Sequence, residues 1–268
     1  MVAAATLTVS GCAKTPTVEE TQQSLQELQR HSPTPALDDE LTETETEYSV
    51  ENTPDPIADP LECSEVLIVS VRGTNEPVRG NLLSPISREV REAFEKDAAV
   101  TTEVLDYPAS ADMAESGTIG VRLLVDTLNQ QAATCPDQAT VLLGYSQGSL
   151  VVGDALTDGA RVVGRGVGEL TDTAKAHIAA VVLYADPRFV ASEPYASGDF
   201  DPEGFGLLER EPGALAEFAD RLMSFCAAED FICQGGTFNE TGHVAYFDNG
   251  MQALGTKFVT EQLKKLLS

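Results

Sequence analysis

A chain of 268 residues with 43 acidic against 17 basic side chains, a formal net charge of −26, repels polyphosphate, and nucleic acid is excluded as a partner. Hydrophobic residues make up 42% of it, enough for a globular core, yet no run approaches the roughly eighteen apolar residues of a membrane-spanning helix. Three histidines and five cysteines leave little material for a large zinc site.

Residues 1–12 have the form of the end of a bacterial secretory signal, a short apolar stretch of small residues leading into Cys12. Val9-Ser10-Gly11-Cys12 resembles the bacterial lipobox, whose cysteine is lipidated and becomes the first residue of the mature protein. No Lys or Arg precedes Cys12, a departure from the usual basic n-region. A lipid anchor on Cys12 is expected, against the plainer reading of a frayed terminus with an idle thiol. From 13 to 60 the chain carries twelve acidic residues, two basic ones, six prolines and a single aromatic, Tyr48. Such a stretch buries too little apolar surface to offset its ordering entropy, so an acidic disordered stalk is expected between the anchor and a domain spanning 61–268.

Glu65 to Arg72 is a nearly continuous β-branched run, as in a parallel strand buried on both faces, and it ends in the turn Gly73-Thr74-Asn75-Glu76-Pro77. Ser87 to Lys96 has helical spacing with Val90 and Phe94 on one face. Thr101 to Tyr107 reads as a second strand closed by Pro108. Ser116 to Ala132 is a longer amphipathic helix with Val121, Leu124, Val125 and Leu128 as its stripe. A strand over Ala139 to Tyr145 then runs into Gly144-Tyr145-Ser146-Gln147-Gly148 and a helix from Leu150. That is the strand–turn–helix of a nucleophile elbow, in which a Cβ at either glycine would collide with the neighbouring strand or helix. Ile178 to Tyr184 is a further strand, 188–212 a long loop rich in Gly, Pro and Asp, and Arg221 to Cys226 a last strand. The helical region from Val244 to Leu267 should turn Phe258, Leu263 and Leu266 toward the core. Strands alternating with helices predict a single α/β-hydrolase domain with a mostly parallel sheet of about five strands.

A serine hydroxyl needs an adjacent base held by a carboxylate, and this serine chemistry is expected to need neither a metal nor an organic cofactor. His31 lies in the stalk, and His177 sits before a strand as a surface residue. His243, on a late polar loop, is the candidate base, because in these hydrolases the base follows the serine and the acid. Asp230 is the favoured acid. It is enclosed by Cys226 and Cys233, and a bridge across that short loop would hold it rigidly. Glu229, one residue away, and Asp186, after the preceding strand, stay open as rivals.

Several motifs in order now resemble the cutinase family of serine esterases, over roughly Cys63 to the C-terminus. They are Val71-Arg72-Gly73-Thr74, Asp106-Tyr107-Pro108-Ala109, Cys135-Pro136, the Gly144–Gly148 elbow, the Cys226…Asp230…Cys233 loop and His243-Val244-Ala245-Tyr246. The resemblance implies Ser146 as nucleophile, His243 as base and Asp230 rather than Glu229 as acid. It implies an oxyanion hole from the N–H groups of Thr74 and Gln147, with the Thr74 hydroxyl assisting. It also implies the disulfides Cys63–Cys135 and Cys226–Cys233, worth about 4.4 and 2.5 kcal/mol as upper values in the chain-entropy model. Asn75 and Pro77 depart from the small or polar residues common at that turn, and the acidic 188–212 loop is a second departure. The expected protein is an exported, surface-anchored or secreted monomer acting on an ester or lipid. Its membrane contact is through the lipid anchor alone. An acyltransferase with the same triad, or a non-catalytic envelope protein on this scaffold, are the alternatives.

Overall fold

The computed structural model describes residues 40–268 except 158, 209, 237 and 238. Cys12 and most of the expected stalk therefore lie outside the described residues. In chain order the elements begin with α1 (Glu43–Tyr48), β1 (Val66–Val71), α2 (Ser84–Ala93), β2 (Val100–Val104), α3 (Met113–Thr134) and β3 (Ala139–Tyr145). They continue with α4 (Gln147–Leu156), α5 (Asp172–His177), β4 (Ile178–Tyr184), β5 (Ala196–Gly198) and β6 (Leu222–Cys226). Three helices follow, α6 (Phe231–Gln234), α7 (Glu240–Val244) and α8 (Met251–Leu267).

The six strands form one sheet in the order β2-β1-β3-β4-β6-β5, every neighbouring pair parallel. Alternate side chains of the buried strands feed two cores. Leu67, Val69, Val71, Leu142, Val181 and Leu183 pack with the stripe of α3 and the apolar residues of α4. Val66, Ile68, Val141, Leu143, Val182 and Tyr184 pack with α2 and α8 on the other face. Burial on both faces is why these strands read as continuous apolar runs rather than alternating ones. The chain leaves β1 outward to β2 and returns through α3 to β3 on β1's other side. The switch point between β1 and β3 opens a crevice at their C-terminal ends, where open α/β sheets bind ligands.

The sheet has one strand more than expected. β5 is three residues, Ala196–Gly198, inside the 188–212 loop, too short and too Gly-rich to show any periodicity. The C-terminal helix also starts later than expected. Two short turns, α7 and a 3₁₀ turn at Ala245–Phe247, precede Gly250, whose φ of 85° breaks the run before α8. Leu263 is fully buried and Phe258 partly so, but Leu266, expected toward the core, is 58% exposed near the end of α8.

Residues 42–60 were expected in the stalk and are instead folded along α3. Thr42 and Glu45 form a capping box that starts α1. Arg122, buried in the middle of α3, donates to the carbonyls of Tyr48, Thr53 and Asp55 at 3.1, 2.9 and 2.8 Å. Asp126 binds Arg122 at 2.7 Å and accepts the Ile57 N–H at 2.9 Å, and Glu45 pairs with Arg165 at 2.8 Å. The segment is ordered by polar side chains that belong to the domain, so its own composition could not reveal it.

Candidate active site

The site is assembled from loops at the C-terminal ends of β1, β2, β3 and β6. At the elbow, Ser146 takes φ 53° and ψ −119° between β3 and α4, and its N–H donates to the Tyr184 carbonyl of β4 at 2.9 Å. A Cβ on Gly148 would run into the Val71 carbonyl at the end of β1, and one on Gly144 would lie 2.9 Å from Ser149 Cα. The glycine spacing of the motif thus reflects backbone approaching backbone.

After β1 the chain is tied to the loop after β2. The buried Arg72 guanidinium donates to the Leu105 and Tyr107 carbonyls at 3.1 and 2.6 Å and to the Glu76 carbonyl at 3.0 Å. The Tyr107 hydroxyl donates back to the Arg72 carbonyl at 2.5 Å. Asn75 holds φ 55°, a left-handed conformation that Asn tolerates better than most residues. Its N–H reaches the Ala109 carbonyl at 2.7 Å. The Glu76 carboxylate accepts the N–H groups of Gly73 and Leu82 at 2.8 and 2.9 Å, and burial pushes its pKa up. Thr74 sits inside this frame, and Gln147 Nε2 reaches its Oγ1 at 3.2 Å. The two expected oxyanion donors are so brought together, and among the described residues neither the Thr74 nor the Gln147 N–H has a hydrogen-bond partner.

His243 joins the two halves of the site. Its Nε2 lies 3.0 Å from Ser146 Oγ and its Nδ1 3.0 Å from Asp230 Oδ1. Asp230, fully buried, caps α6 by accepting the Ile232 N–H at 3.0 Å on Oδ1. Its Oδ2 accepts the Tyr246 hydroxyl at 2.7 Å. A carboxylate that accepts on both oxygens assigns the imidazole proton to Nδ1 and leaves a lone pair on Nε2 facing Ser146. The ring is held from both sides. Tyr145 stacks on it with centroids 5.2 Å apart and donates its hydroxyl to the His243 carbonyl at 2.9 Å, while Phe231 packs edge-on at 5.9 Å. Gly242 lets this loop close on the Asp230 loop, since a Cβ there would strike the Glu229 carbonyl. Burial, helped by the charges of Glu76 and Asp230 at Tyr145 and of Asp230 at Tyr246, pushes both phenols well above their ordinary pKa, so they stay protonated donors.

Asp230, and neither rival, faces His243. Glu229 takes φ 63° and accepts the Asn239 amide at 2.9 Å, and Asp186 is buried against Arg210 at 2.6 Å. His177 ends α5 at the N-terminal end of β4, away from the strand ends that carry the site. The disulfides Cys63–Cys135 and Cys226–Cys233 both form, with Cα atoms 5.5 and 5.8 Å apart, and the second encloses Asp230. Tyr246 is the residue whose role the sequence did not disclose. It lies in the segment that carries the family resemblance, but its contact with Asp230 spans two loops.

A family model described as Cutinase matches residues 62–263. The chain is 30% identical over 203 residues to a protein of Kineococcus radiotolerans named Cutinase, across 73% of this chain and 60% of that protein. It is 32% identical over 177 residues to the acetylxylan esterase of Hypocrea jecorina, across 61% of this chain and 56% of that one. It therefore spans less than two thirds of the length of these two curated relatives. Among solved structures, the catalytic core domain of acetyl xylan esterase from Trichoderma reesei is similar at a TM-score of 0.61 and 25% identity, over 75% of this chain and 100% of that one.

Proposed function

The chain belongs to the cutinase family, and from that premise we propose that it hydrolyses carboxylic esters, with Ser146 as nucleophile, His243 as general base and Asp230 as the acid that orients it. The observation that carries the proposal is the unbroken hydrogen-bonded chain from Ser146 Oγ through His243 to Asp230, both links at 3.0 Å. It starts at an elbow beside a helix N-terminus. The relatives named cutinase and acetylxylan esterase support the same chemistry.

His243 Nε2 takes the Ser146 proton as Oγ bonds to the ester carbonyl carbon, and the carbonyl π pair moves onto oxygen. The N–H groups of Thr74 and Gln147, with the Thr74 hydroxyl, meet that oxyanion. Collapse re-forms the carbonyl and expels the alcohol oxygen, which takes the proton from the imidazolium. Water, deprotonated by the same histidine, then attacks the acyl carbon, and collapse of the second tetrahedral intermediate breaks the bond to Ser146 Oγ, which takes the proton back from the imidazolium as the acid leaves. Asp230 stays ionised throughout and keeps the imidazole in the tautomer with Nδ1 protonated. Ser146→Ala should lower hydrolysis of short p-nitrophenyl esters by at least about 10³-fold in folded protein; undiminished turnover would overturn the assignment.

Export to an oxidising compartment belongs to the same proposal and is supported by the two disulfides. Attachment through Cys12 extends it. Full-length protein expressed in its host should enter the detergent phase of a Triton X-114 partition, and Cys12→Ser should move it to the aqueous phase. Wild-type protein found only in the aqueous phase would count against the anchor.

A further inference from the structure

The Gln147 side chain has a fixed partner on every polar atom, and its outermost one is Ser116 in the first turns of α3. Both residues are fully buried. The Ser116 hydroxyl lies 2.8 Å from Gln147 Oε1 and accepts the Ser110 N–H at 3.1 Å. An amide oxygen only accepts, so Ser116 is the donor of that pair. On the other side of the amide, Nε2 donates to the Ser110 carbonyl at 2.8 Å and to Thr74 Oγ1 at 3.2 Å. Ser110 is itself held in place, because the neighbouring Ala109 carbonyl accepts the Asn75 N–H at 2.7 Å.

The direction of these bonds matters for Thr74. With Nε2 donating to it, Oγ1 is an acceptor there, and the hydroxyl proton is free for another acceptor. With the amide reversed, Oε1 would face Thr74 and draw that proton to itself. Ser110 and Ser116 together select the first arrangement, and loss of the Ser116 hydroxyl would leave Oε1 buried without a donor.

We propose that Ser116 is a positioning residue of the oxyanion hole: it orients the Gln147 amide so that Thr74 Oγ1 accepts from Nε2 and keeps its own proton for the developing oxyanion. The proposal rests on the esterase reading above. Ser116 touches neither substrate nor nucleophile, so its effect should pass through the Thr74 hydroxyl alone.

A double-mutant cycle reads this directly. Ser116→Ala should lower kcat on p-nitrophenyl butyrate by about 10-fold with KM changed less than about 2-fold, a smaller loss than the roughly 10² of removing a donor outright by Thr74→Val. In the Thr74→Val background, Ser116→Ala should change kcat by less than about 2-fold. Losses that multiply, or a Ser116→Ala enzyme with wild-type kcat, overturn the positioning role and leave the esterase reading standing. Should Ser116→Ala fail to fold, Gln147→Met removes the amide while keeping the backbone N–H. It should lose kcat in the wild-type background and lose none further beside Thr74→Val, with multiplying losses again overturning the proposal. Hydrolysis that survives Ser146→Ala would overturn the assignment of Ser146 as nucleophile, and the positioning role with it.

Discussion

At the residue scale, the site is a set of buried donors and acceptors whose directions are fixed by one another. Ser146 sits at a positive φ that costs a non-glycine residue about 1–3 kcal/mol, and its N–H bond to the Tyr184 carbonyl helps to hold it there. Tyr246→Phe would remove the donor to Asp230 Oδ2 and strand the Ala227 N–H, which the Tyr246 oxygen accepts at 2.9 Å. It should destabilise the protein by about 1–3 kcal/mol in urea denaturation and lower kcat more than it raises KM. Gly148→Ala drives a methyl into the Val71 carbonyl and should abolish ester hydrolysis, checked alongside its melting curve. Ser146 and His243 could be picked out as candidates in the sequence, the first from glycine spacing and the second because the other two histidines were read in an expected stalk and just before a strand. Asp230 was separable from Glu229 and Asp186 only through the family resemblance. The structure shows the physical difference: one rival is bound to Asn239 and the other to Arg210. The roles of Tyr246 and Ser116 depend on contacts between segments distant in the chain, and no local pattern carries them.

At the element scale, the long buried strands were legible because each is covered on both faces, as the six uninterrupted buried residues of β1 illustrate. β5 was not, since three residues of a Gly-rich loop gain their strand character only from pairing with β6. The 42–60 segment was missed for a related reason: it borrows Arg122, Asp126 and Arg165 from the domain it covers. Glu45 gives it a pH dependence. Burial alone would raise that carboxyl, but the hydrogen bonds and charge of Arg165, with the Thr42 N–H, hold it below its ordinary 4.5. A carboxyl lowered on folding contributes stability that is fully present above the unfolded value and lost as pH falls through the folded one. Glu45→Gln should therefore lower Tm by about 2–6 °C at pH 7, and the gap to wild type should close as pH drops below that ordinary value. A gap that is constant from pH 7 into acid would contradict the Arg165 pairing as its source.

At the scale of the whole molecule, a single parallel sheet places the loops after β1 and β3 at its switch point, and the loops after β2 and β6 complete the same edge. Among the described residues no helix is long and apolar enough to cross a membrane. The excess of 43 acidic over 17 basic residues should make the fold repel itself at low ionic strength. Raising NaCl from about 0.01 to 0.5 M, which shortens the screening length from about 30 Å to a few ångströms, should raise Tm in differential scanning fluorimetry; a fall would show that attractive pairs outweigh the net charge. The claim on which the whole account turns is that Ser146 is the nucleophile. It is tested most directly by intact-mass and peptide-mapping spectrometry after treatment with a fluorophosphonate. The account predicts one adduct per chain, on the peptide containing Ser146, no adduct in Ser146→Ala, and loss of ester hydrolysis in step with labelling. An adduct on another residue, or full hydrolysis by protein whose Ser146 is blocked, would contradict it.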